Sequence, residues 1–166
     1  MTTSQQMRAF EGPAVLSFGF RPFFLAGALW AALAVALWLA MLTGHLVVPS
    51  SFSPIEWHVH ELIYGYVPAI VAGFLLTAVP NWTGRLPVTG TPLLALFMIW
   101  VAGRFAIFCS AWVGLWLAAV IDLLFLGSLA AVIAREVIAG KSTRNLKVLE
   151  HQAENSNLGI PFFAEQ

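Results

Sequence analysis

Four long apolar stretches, separated by short polar breaks, dominate the chain. About 20 apolar residues suffice to cross a hydrocarbon core roughly 30 Å thick. The pattern predicts membrane-spanning helices over residues 23–42, 57–79, 93–109 and 111–134. Arg21-Pro22 opens the first, and proline suits a first helical turn, where its missing N–H would lack a partner anyway. Pro80-Asn81 stops the second span and Thr91-Pro92 opens the third. Spans three and four meet almost without a loop, which predicts a tight antiparallel hairpin. The fold class is therefore all-α, a polytopic membrane protein with four transmembrane helices. Residues 1–22 form an N-terminal segment, residues 23–134 the four-helix domain, and residues 135–166 a polar tail expected to be loosely ordered. Pro68 is expected to kink span two.

Charge supports this count. Arg8 and Arg21 precede span one, Arg85 lies between spans two and three, and Arg135, Lys141, Arg144 and Lys147 follow span four. The other two connections carry no Lys or Arg. Positive charge on alternate sides predicts that both termini are cytoplasmic. The first apolar stretch has 20 uncharged residues, more than the roughly 7–15 of a cleaved signal core. The chain is 60% hydrophobic and 10% charged, against about 25% charged in soluble domains. The formal net charge is zero, so no basic field favours nucleic acid. One cysteine, Cys109, excludes an intrachain disulfide and a Cys-rich metal site, and reads as a small buried hydrophobe. Trp57, Trp82 and Trp112 fall near the span ends, as belt tryptophans do, whereas Trp30, Trp38 and Trp100 lie deeper and are expected to pack or to contact a cofactor.

Ionisable residues inside such spans are costly and point to function. Trp57-His58-Val59-His60-Glu61 opens span two. His58 and His60 are two residues apart, about 200° around a helix, so a regular helix cannot aim both at one metal. In an extended segment they would also stand apart. Neutral imidazole is the usual axial haem ligand and a common metal ligand. Glu61, three residues after His58, is placed to orient that imidazole or to cap the helix start. Tyr64, four residues after His60, is placed to hydrogen-bond it. Gly65 and Gly73 leave room for a flat group or a close helix. Arg104 lies roughly 7 Å inside span three, level with Glu61, with Asp122 on span four as a competing partner. Asn81-Trp82-Thr83-Gly84-Arg85 reads as a hairpin loop with an interfacial Trp. Neither a nucleophile elbow, a phosphate loop, a dinucleotide fingerprint nor HExxH occurs, so no catalytic residue is assigned.

Several uncommon strings carry a resemblance. Gly19-Phe20-Arg21-Pro22-Phe23-Phe24-Leu25, Trp57-His58-Val59-His60-Glu61, the run Ala72-Gly73-Phe74-Leu75-Leu76-Thr77-Ala78-Val79-Pro80-Asn81-Trp82-Thr83-Gly84, Trp100-Val101-Ala102-Gly103-Arg104 and Arg144-Asn145-Leu146-Lys147-Val148-Leu149 resemble the NnrS family. The resemblance spans about residues 17–149. It implies a bacterial inner-membrane protein with haem and copper as cofactors, linked to nitric oxide, nitrosative stress and denitrification. It makes His58 and His60 the metal-ligand candidates, with Glu61 and Arg104 as supports; with Tyr64, placed by its spacing from His60, these form the expected cofactor-binding set. Family members have roughly a dozen spans by hydropathy counting, so the chain resembles the N-terminal part of the family. A site completed by later helices would need further membrane subunits or a second copy of the chain.

The function expected is haem binding, with copper as a second cofactor, in the response to nitric oxide. The expected partners are membrane lipid, haem and nitric oxide. Two alternatives are a small transport module whose polar path is lined by Glu61, Arg104 and Asp122, and a cofactor-free fragment that only assembles with other membrane chains.

Overall fold

The computed structural model describes residues 12–157, with side chains described over residues 12–140. The described residues are almost wholly helical and include no strand. A single 3-10 turn, Ala14–Leu16, precedes α1, Phe20–Leu42. Next come α2, Pro54–His60, a π-helical stretch, Glu61–Tyr66, and α3, Val67–Thr83, which together form one continuous rod. α4 is Gly90–Phe108, α5 is the short Ser110–Val113, and α6 is Leu115–Asn157. Among the described residues, four segments are long and apolar enough to cross a membrane: Phe20–Leu42, Pro54–Thr83, Gly90–Phe108 and Leu115–Gly140. The chain is a multi-pass membrane protein, as the hydropathy pattern predicts. α1 packs on α3, α4 on α6, and α3 on α6.

Several boundaries differ from the sequence-based ones, each for a local reason. The second rod starts at Pro54 because Ser53 and Glu56 form a capping box. The Ser53 N–H donates to Glu56 Oε2 at 2.9 Å, and the Glu56 N–H donates to Ser53 Oγ at 3.4 Å. His58 and His60 therefore sit on a regular helix and not on an extended segment. The same rod runs through Pro80 and stops at Gly84, whose φ of +68° is the left-handed geometry that ends helices. Pro80 removes one intrahelical donor within the last turn, where the loss is small. Pro68 stands in the first turn of α3, where its missing N–H costs little. It follows a π turn closed by the Val67 N–H donating to the Leu62 carbonyl. α6 does not stop at residue 134 but continues to Asn157, since no proline interrupts it. Of the polar tail, residues 158–166 lie outside the described residues. Spans three and four do form a tight hairpin, through α5 and Gly114 at φ +90°.

Two apolar clusters form the interior. One contains Phe23, Leu76, Leu93, Trp100, Phe125 and Leu129. The other contains Ala34, Trp57, Ile107 and Ala118. Trp57 is wholly buried there, edge-on to Trp30 and Phe108, so it is a core residue and not a belt tryptophan. Trp82 and Trp112 are 65% and 79% exposed, consistent with interfacial positions. Cys109 is half-buried, because it sits at the junction of α4 and α5 instead of inside a span.

The Ser-rich connection after α1 is tied to that junction. Buried Ser110 accepts a hydrogen bond from the Ser51 N–H at 2.8 Å and lies 3.1 Å from the Ser50 hydroxyl. The Ala111 N–H donates to the Pro49 carbonyl at 3.0 Å. Ser110→Ala is expected to cost about 1–3 kcal/mol, because it strands the Ser51 N–H. Reversible unfolding in mixed micelles, followed by tryptophan fluorescence, measures this; an unchanged midpoint would show that the tie is dispensable.

Candidate functional site

Between the two apolar clusters lies a layer of buried charge. On each of three spans the ionisable residue falls between a residue of one cluster and a residue of the other: Glu61 between Trp57 and Ala69, Arg104 between Trp100 and Ile107, Asp122 between Ala118 and Phe125. Glu61 is 0% exposed, and Arg104 and Asp122 are each 4% exposed. Arg104 joins the two carboxylates. Its Nη1 donates to Glu61 Oε2 at 2.6 Å, and its Nη2 donates to Asp122 Oδ1. Glu61 and Asp122 were alternative partners on sequence grounds; the guanidinium fork holds both at once. The same Oε2 of Glu61 accepts from Trp30 Nε1 at 2.8 Å, which ties α1 into the layer.

Two glycines make this geometry possible. A Cβ on Gly65 would lie 2.4 Å from Arg104 Nη1 and 2.8 Å from Glu61 Oε2. A Cβ on Gly103 would lie 2.9 Å from Asp122 Oδ1 and 3.2 Å from the Asp122 Cα. The first absence of a side chain admits the guanidinium, and the second lets α6 approach α4 closely enough for Asp122 to reach it. Gly65 thus makes room for a charged side chain, while Gly73 accommodates the Phe24 ring. The π turn contributes as well. Its extra residue shifts the faces that follow by about 100°, and the Gly65 carbonyl accepts from Trp100 Nε1 at 2.9 Å.

The histidines separate, as their spacing on a helix requires. His58 stacks on Trp38, with ring centroids 4.0 Å apart and planes 11° from parallel. It has no hydrogen-bond partner among the described residues, and its Nδ1 is buried. His60 turns toward the charge layer. Its Nε2 lies 3.5 Å from Asp122 Oδ2 and its Nδ1 3.8 Å from Glu61 Oε1. Glu61 therefore does not orient His58. A fully charged guanidinium offers it stronger hydrogen bonds than a neutral imidazole can. Tyr64 does meet His60, but by ring stacking at 5.0 Å and 20° instead of through a hydrogen bond from its hydroxyl. Phe52 closes the other side of that imidazole at 5.3 Å.

The structure thus brings together His60, Glu61, Tyr64 and Arg104 and leaves His58 apart, against Trp38. The roles of Trp30, Gly65 and Gly103 are invisible to motif reading, although a glycine beside an intramembrane charge was the available signal. The three charged side chains of the transport alternative are buried against one another and do not line an open path.

A family model described as NnrS protein matches residues 14–151. The chain belongs to the NnrS family. No curated protein and no solved structure matches it. The match to the NnrS model covers all four spans and every residue of the charge layer.

The charge layer generates two predictions. Gly65→Ala should cost about 1–3 kcal/mol, the usual size of an overpacking penalty, because Arg104 is fixed at both ends and cannot withdraw. Gly127→Ala, at a position with open space around it, is the control; equal stability of the two variants would refute the close approach. Arg104→Gln should cost about 3–5 kcal/mol by stranding two buried carboxylates, and adding Glu61→Gln and Asp122→Asn should restore part of the loss. Chemical unfolding in the same micelles reads both, and a triple variant no more stable than Arg104→Gln alone would contradict the pairing.

Proposed function

We propose that this NnrS-type protein binds haem through His58 in a bacterial inner membrane and serves the response to nitric oxide. The observation that carries the reading is the state of His58. This imidazole lies against Trp38 with neither a hydrogen bond nor a carboxylate beside it among the described residues, whereas His60 has the Asp122 carboxylate 3.5 Å from its Nε2. Imidazole is a usual haem ligand, and with no protein donor on it His58 would hold the iron. Family membership supports the choice of group. When bound, haem would supply an iron centre able to take nitric oxide. The chain's own residues would hold the imidazole by stacking, keep Arg104 neutralised by carboxylates, and keep the surroundings apolar. Nitric oxide is neutral and enters lipid, so a site at this depth needs no charged path.

Copper fits the described residues less well. No group of three or more His, Cys, Asp or Glu side chains among them could hold a metal. His58 and His60 face different neighbours, and both carboxylates near His60 are already bridged by Arg104. Copper would need ligands from outside the described residues. The arginines at the Arg85 end of the bundle support a cytoplasmic location for that end and for both termini, which puts His58 toward the opposite face.

Absorption of the purified protein after incubation with haem tests the reading. A Soret band is expected, lost in His58→Ala and kept in His60→Ala. A sample with no Soret band under excess haem, or a His58→Ala variant with an unchanged spectrum, would reject it.

A further inference from the structure

The opposite end of the bundle carries a second feature that haem binding leaves unused. Residues 81–89, Pro92, Arg135 and Glu136 surround an open groove of about 830 Å³. Its charge is organised by Glu136, which is 5% exposed and uses each carboxylate oxygen on a different arginine. Arg85 Nε donates to Oε2 at 2.6 Å, and Arg135 Nη2 and Nε donate to Oε1 at 2.8 and 3.1 Å. Nη1 and Nη2 of Arg85, and Nη1 of Arg135, keep no protein partner among the described residues. Two guanidiniums against one carboxylate leave the groove with a net positive charge. Guanidinium edges of this kind match phosphate oxygens in shape and sign.

The groove continues along the apolar span. It shares Asn81, Gly84, Arg85 and Pro87 with an adjoining cleft of about 260 Å³, whose other walls include Leu76 and Pro80. That cleft shares Thr77 and Asn81 with a third, of about 290 Å³, between Phe20 and Phe24 of α1 and Gly73, Phe74 and Ala78 of α3. Phe74 precedes Asn81 by seven residues, so this aromatic cleft reaches roughly 10 Å down the helix from the polar end. Exposed Trp82, edge-on to Phe74, marks the boundary between the two environments. A basic groove at the water boundary that opens into an apolar cleft along the same helix has the shape of an amphiphile with a phosphate head.

We propose that this end of the protein binds one anionic phospholipid, its phosphate on the free guanidinium edges of Arg85 and Arg135 and an acyl chain in the cleft formed by Phe20, Phe24 and Phe74. A soluble phosphate could use only the first groove; the continuity with the apolar clefts is what favours lipid. Asn81-Trp82-Thr83, expected to be a loop, is the last turn of α3, and the arrangement gives it and the Gly84-Arg85 exit a task beyond joining two helices.

The test uses the purified chain in a neutral detergent, with binding read by native mass spectrometry and by thermal shift against phosphatidylglycerol, phosphatidylcholine and glycerol phosphate. Phosphatidylglycerol is expected to bind at least about tenfold more tightly than either comparator. Arg135→Gln should weaken it about fivefold, the effect of one arginine beside an anionic headgroup. Arg135 is 71% exposed and its removal leaves Arg85 on Glu136, so the fold should survive. Ala78→Phe, which fills the apolar cleft, should weaken phosphatidylglycerol and leave glycerol phosphate unchanged. Equal binding of phosphatidylcholine would overturn the headgroup assignment. Glycerol phosphate matching phosphatidylglycerol would make the groove a soluble-anion site and overturn the lipid assignment. An Arg135→Gln variant with unchanged affinity would remove the arginine from the site, and an ineffective Ala78→Phe would remove the chain from the cleft.

Discussion

Arg104 held between Glu61 and Asp122 is the interaction on which the rest of the bundle depends. Placing a single Arg or Asp at the centre of a membrane helix costs roughly 2.5–3.5 kcal/mol by insertion measurements. Three such groups on three spans would oppose insertion strongly if each stood alone. Assembled, Arg104 gives each carboxylate its counter-charge and a hydrogen bond, and Trp30 donates a third. Apolar helix faces in lipid tell one rotation from another only weakly, because lipid tails solvate them nearly as well as neighbouring helices do. A buried charge layer discriminates sharply, since a helix turned by one residue would leave a carboxylate unpaired. The layer therefore fixes how α3, α4 and α6 are turned about their axes, and the two apolar clusters above and below fill in around that choice.

This constraint has consequences for chemistry. A guanidinium that holds two carboxylates occupies one oxygen of each, and it draws Glu61 away from His58. His60, stacked on Tyr64 and with Phe52 tilted against it, turns its Nε2 toward Asp122 and becomes part of the structural layer. His58 faces the other way, onto Trp38. Two histidines that are near neighbours in the chain thus end with different duties, and the division comes from the charges on other helices.

The two ends of the bundle differ in the same spirit. At one, a stacked imidazole sits among aromatic rings. At the other, Glu136 arranges two arginines around a groove that leads into an aromatic cleft. In each case a charged side chain is held by its opposite, and at the Glu136 end the unpaired guanidinium edges border the groove.

The number of spans, their approximate places and the cost of the ionisable residues within them follow from the sequence, because hydrophobic length and charge are properties of the residues themselves and lipid responds to them directly. The divergence of His58 and His60 follows too, from helical spacing once both are on one helix. Ser53 and Glu56 already spelled the capping box that puts them there, a signal the apolar pattern masks. Other features lie beyond any single segment. That Arg104 bridges two carboxylates at once, that Trp57 is core, that Gly65 and Gly103 are needed as clearances, and that Glu61 answers to Arg104 rather than His58 all depend on which faces of separate helices meet. Glu61 and Arg104 alone are 43 positions apart in the chain, and packing decides such contacts: the energy of a buried charge depends on the partner brought to it, and no local pattern records who that partner is.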